Sequence, residues 1–132
     1  MDFIRLNNFT TNLDKHGFIL TNNGIVKKND SSYLQKSEIM LNDHFVEFCK
    51  LLDAKIEEGV FIRDKRKTKY CGIHGYKFKH VVGRVSNNGI YITLGQMIII
   101  AVMKNLIYDW KVGHSDIYVK LKLDKKYKHF MH

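Results

Sequence analysis

The stretch Gly75-Tyr76-Lys77-Phe78-Lys79-His80-Val81-Val82-Gly83-Arg84 decides how this chain folds, because it reads in two ways. Tyr76 to His80 alternate aromatic with basic side chains, as a half-buried strand does. Lys77, His80 and Arg84 also fall at helical spacing, with Phe78, Val81 and Val82 on other faces. A helix over 75–84, a turn around Asn87 to Gly89 and a helix from Thr93 would form a helix-turn-helix-like pair. An extended segment would instead make Val81 to Thr93 a second hairpin. The β-prone valines and the Asn88-Gly89 turn favour the extended form.

Downstream, the Thr93 hydroxyl can cap a helix and Gln96, three residues on, completes a capping box, so a helix is expected over about 94–107. Met97 to Met103 are apolar on every side, which puts this helix at the centre of the core and not on a ligand-reading surface. Asp116 to Leu123 alternates with period two in its second half and reads as a strand with lysines on one face. Residues 124–132, basic and aromatic, read as a loosely ordered tail. Upstream, Phe45, Phe48, Cys49, Leu52 and Ile56 recur at three- and four-residue intervals. They predict a helix over about 43–58, capped by Asn42 or Asp43 and stopped at Gly59. Thr21-Asn22-Asn23-Gly24-Ile25 lies between β-prone flanks and predicts a hairpin.

These elements make a single small α+β domain over 1–123, an antiparallel sheet with two packed helices, followed by the tail. A chain of 132 residues buries enough surface to hold together without disulfides or a structural metal. Two cysteines, Cys49 and Cys71, do not make a disulfide framework, and Met1 to Asn8 lack a signal-peptide core. The longest apolar run, Met97 to Met103, falls far short of the ~20 residues that span a bilayer. The expectation is an intracellular, cytoplasmic protein with no membrane contact.

Charge supplies the functional signal. The net charge is +9, from 22 Lys and Arg against 13 Asp and Glu. Residues 1–62 carry 7 basic and 9 acidic side chains, 63–84 carry 8 and 1, and 85–132 carry 7 and 3. Like charges packed so closely repel one another, and an anionic partner relieves that repulsion. A polyphosphate backbone is the commonest such partner. Arg63, Lys65, Arg66, Lys67, Lys69, Lys77, Lys79 and Arg84 are the expected phosphate contacts, and Tyr70 and Tyr76 the expected stacking residues. Four to six such contacts would give a log–log salt dependence of roughly −3.5 to −5 on double-stranded DNA. The bland alternative is a solvated basic loop.

Catalytic motifs are sparse. There is no phosphate-binding G-x-x-x-x-G-K-[ST], no G-x-G-x-x-G and no nucleophile elbow. Cys71, His74 and His80 offer three zinc ligands, a fourth would have to come from His114 or a tail histidine, and no second paired-ligand motif supplies it, so no metal or other cofactor is expected. Asp64, or Asp53 with Glu57, could hold a divalent cation, but solvated or charge-tempering roles explain them equally well. Gly72-Ile73-His74-Gly75 gives the backbone freedom to approach a phosphate or simply marks a turn. Trp110 reads as a core edge. The sequence therefore points to a non-enzymatic protein that binds DNA or RNA through 63–84. One alternative is an interaction module or inhibitor docking on an acidic protein surface, and another is a metal-dependent nuclease.

Overall fold

The computed structural model describes residues 2–29, 38–66, 72–107 and 109–132. Helix α1 (Phe3–Lys15) starts where the Asp2 carboxylate accepts the Arg5 N–H, and it buries one side chain completely, Leu13. It has no counterpart among the expected elements. Strands β1 (Phe18–Thr21) and β2 (Gly24–Lys27) form the expected hairpin, paired from Phe18↔Lys27 to Thr21↔Gly24. The Thr21 hydroxyl donates to the Gly24 carbonyl and locks its two-residue turn.

Helix α2 (Asp43–Glu57) follows the amphipathic pattern closely. The Asn42 side chain accepts the Phe45 N–H, Phe45, Phe48 and Leu52 are buried, and Gly59 takes the left-handed stop at φ +79°. Strand β3 (Phe61–Arg63) comes next, then β4 (Ile73–His74).

The stretch that reads two ways is helical, which overturns the extended reading. Helix α3 (Gly75–Ser86) buries Phe78, Val81 and Val82 on one face. Its N-terminus has no side-chain cap from its own flank. Asp116, forty residues on, supplies one by accepting the Tyr76 N–H at 3.0 Å. The Asn87-Asn88-Gly89 sequence that suggested a hairpin turn ends the helix instead. Asn87 adopts the left-handed conformation at φ +46°, and the Asn88 N–H reaches back to the Gly83 carbonyl. Tertiary packing and a remote cap thus outweigh the strand propensity of the valines.

Helix α4 (Leu94–Met103) has both halves of the expected capping box between Thr93 and Gln96. Every residue from Gly95 to Met103 is buried. It stops short of Ile107 because Asn105 turns left-handed at φ +57° and the Leu106 N–H closes on the Ala101 carbonyl. The hairpin packs so tightly on its first turn that a Cβ on Gly95 would collide with the Thr21 carbonyl. A helix so enclosed cannot enter a DNA groove, so the helical pair α3–α4 is not a helix-turn-helix reader with α4 as its recognition helix.

The period-two segment near the end is divided between two partners. Strand β5 (Tyr118–Val119) pairs with β4, and β6 (Leu121–Leu123) pairs with β3. At the switch point, the buried Lys120 donates its N–H to the Leu106 carbonyl. The strands therefore form three separate two-stranded antiparallel ladders, not one sheet, and five helices among the described residues replace the expected two. The α+β class holds. Residues Lys125–Met131, set apart by composition as a tail, form a 3-10 helix capped by Asp124, with Tyr127, Phe130 and Met131 packed against the core. Among the described residues no helix is long and apolar enough to cross a membrane.

Candidate nucleic-acid interface

The basic segment divides into two groups with different surroundings. At the end of β3, Arg63 donates to the Asn105 carbonyl at 3.4 Å, near the C-terminal end of α4. The Asp64 side chain is 1% exposed and accepts Arg66 Nε at 2.9 Å and Arg66 Nη2 at 2.5 Å. Hydrogen bonding from that guanidinium holds the Asp64 carboxyl below the usual carboxylate range. Lys65 is exposed. Lys67, Lys69, Tyr70 and Cys71 lie outside the described residues.

The second group lies on α3. Tyr76, His80 and Arg84 recur every four residues and, with Lys77, make an exposed stripe of aromatic and basic side chains. Lys79 points the other way. It is buried, its ammonium donates to the Ile92 carbonyl at 3.0 Å, and it lies over the rings of Tyr76 and Tyr91, 5.2 and 4.7 Å from their centroids. Burial pushes the pKa of Lys79 down. His80 is also shifted down, by burial first and then by the positive charges of Lys79 and Arg84.

These residues border a cleft of about 690 Å³ lined by Lys79, His80, Gly83, Arg84, the loop 87–91 and Phe130. Among the described residues no carboxylate lines it. A second cleft, of about 440 Å³, holds Asp64, Arg66, Lys122 and, from the 3-10 helix, Lys128, Met131 and His132. Lys128 and Met131 are three residues apart and share a face of that helix, while Phe130 faces the first cleft. The 3-10 helix thus separates the cations of 63–66 from those of α3.

The Gly72–Gly75 stretch serves packing. Gly72 has φ +114°, and a Cβ there would strike the Val119 carbonyl where β4 meets β5. His74 stacks on Tyr118 with centroids 4.2 Å apart, and His80 stands edge-on to Tyr76 at 4.9 Å. No group of three His, Cys, Asp or Glu side chains placed to hold a metal occurs among the described residues. Asp53 is paired with Lys104 at 2.5 Å. Trp110 is buried at the core edge, packed on Phe18 and donating to the His114 carbonyl.

Sequence reasoning missed Tyr91 and Phe130. Tyr91 joins the cleft from the loop that follows α3, between Ile90 and Ile92, and Phe130 joins it from the 3-10 helix, beside His129. No protein-family model matches the chain, and neither a curated protein nor a solved structure matches it.

Proposed function

We propose that the protein binds nucleic acid on the outward stripe of α3 and in the adjoining cleft, without catalysing a reaction, and works inside the cell. The observation that supports this reading is the cleft's lining: Lys79, His80 and Arg84 with two aromatic rings and no carboxylate. Among the described residues Lys77 and Arg84 form no ion pair, nor do Arg63 and Lys65, so these charges remain available to phosphate. Arg84 Nε donates to the His80 carbonyl at 3.5 Å, and the Nη groups of its planar fork suit phosphate oxygens, while the rings offer stacking surface for bases.

The test is the salt dependence of oligonucleotide affinity. Two to four phosphate contacts give a log–log slope of roughly −1.5 to −3 on a single strand, smaller than the full basic segment would give because Arg66 is paired with Asp64 and Lys79 is buried. A slope near zero, or no binding at low salt, overturns the proposal.

A further inference from the structure

The cleft beside α3 also indicates which form of nucleic acid fits, an inference that rests on the function proposed above. Tyr91 is 66% exposed, an unusual place for a large ring. It is nevertheless held in position. The Lys79 ammonium lies over the ring at 4.7 Å and is itself fixed by its hydrogen bond to the carbonyl of the next residue, Ile92. One ammonium therefore lies over two rings, since Tyr76 is 5.2 Å from it and also exposed. Burying a lysine is costly unless its charge is satisfied, and here a carbonyl and two ring quadrupoles satisfy it. The product is a tyrosine with one face backed and the other open to solvent, on the wall of a cleft that also holds Arg84 and His80.

An open aromatic face beside cations suits a nucleotide whose base is unstacked. Bases within a duplex are already stacked on one another and present only their edges. The open ring of Tyr91 lies in the loop beyond the end of α3 and not on a helix face that would enter a groove. We infer that the cleft binds single-stranded nucleic acid by stacking an unpaired base on Tyr91 while Arg84 holds the neighbouring phosphate, with Lys79 as the residue that positions the ring.

The experiment compares three probes of equal length at one salt concentration: an oligothymidylate, an abasic deoxyribose-phosphate strand and a blunt duplex. The oligothymidylate is expected to bind tightest. Tyr91→Ala lowers its affinity about tenfold and leaves the abasic strand unaffected, while Tyr91→Phe retains most of the affinity. Arg84→Ala weakens both single strands. Lys79→Met weakens oligothymidylate binding without changing its salt slope, because a buried ammonium that positions a ring releases no counterion. If the abasic strand or the duplex binds as well as oligothymidylate, or Tyr91→Ala changes nothing, base stacking is overturned while phosphate binding survives. If none of the three probes binds, the functional reading fails with it.

Discussion

The two ends of the basic segment carry similar side chains and meet different fates. At Arg63 to Arg66 the chain supplies a counter-charge for one cation, since Asp64 takes the Arg66 guanidinium, while Arg63 reaches only the Asn105 carbonyl, as Arg84 reaches the His80 carbonyl at 3.5 Å. At Tyr76 to Arg84 no acidic side chain lines the neighbouring cleft among the described residues, and the Lys79 ammonium lies over two tyrosines. Eight basic residues within 63–84 are therefore not eight equivalent phosphate ligands. Charge density in a sequence marks a neighbourhood, while the fold decides which charges are left to attract something else.

The largest expected effect lies at the end that holds the Asp64–Arg66 pair. Asp64→Ala removes a buried acceptor of charge-assisted hydrogen bonds and should lower stability by about 1–2 kcal/mol, the lower part of the range applying because the Arg66 side chain is largely exposed. Urea unfolding at pH 7 measures it. The sign with pH follows from the depressed carboxyl. The contribution is fully present above the ordinary aspartate value and is lost as pH falls through the lower folded value. The variant should accordingly lose less stability than the parent on acidification through that window. An unchanged urea midpoint would show that the Asp64–Arg66 pair is not a structural part of this end of the molecule.

A smaller effect separates the two ends by function. Arg84→Ala should weaken oligonucleotide binding roughly fivefold and reduce the magnitude of the salt slope by about 0.7 on a single strand, with stability within about 0.5 kcal/mol of the parent. Arg66→Ala should change the slope far less, because its guanidinium is already committed to Asp64. Equal losses from the two variants would erase the distinction between the ends.

Sequence reasoning was strongest where local chemistry decides. The Asn42 cap and Gly59 stop of α2, the Thr93–Gln96 capping box and the hairpin at 18–27 each depend on residues within a few positions of one another. It failed where distant chain decides. Helix α3 owes its start to Asp116, which the window 75–84 does not contain, and its helical state to the burial of Phe78, Val81 and Val82, whose spacing the window shows beside a competing strand pattern. Helix α1 is rich in Asn and Thr and buries only Leu13 fully, so its apolar signal is faint. Tyr76, Lys77 and Arg84 were legible as candidate contacts. The burial of Lys79 and the arrival of Tyr91 and Phe130 were not, because the cleft joins the stretch 79–91 to Phe130 of the 3-10 helix, and which side chains turn inward is set by packing.

The finest probe of the difference between the ends is His80. Its pKa lies below the ordinary value of ~6.5 through burial and the positive charges of Lys79 and Arg84, and Tyr76 stands against its ring. Between the folded and the unfolded value the unfolded chain binds more protons, so the free protein loses stability as pH drops through that window. A phosphate in the cleft acts in the opposite sense. It favours the imidazolium, restores the proton and makes binding tighter as pH falls. Affinity for a single-stranded oligonucleotide should therefore rise roughly threefold between pH 7.5 and 5.5, beyond any change shown by His80→Gln, which removes the titrating group. No comparable difference should follow from changing Asp64, whose titration lies well below this range. A parent and a His80→Gln variant with identical pH profiles would place the phosphate elsewhere, since an anion bound against this cluster must shift the titration of the imidazole within it.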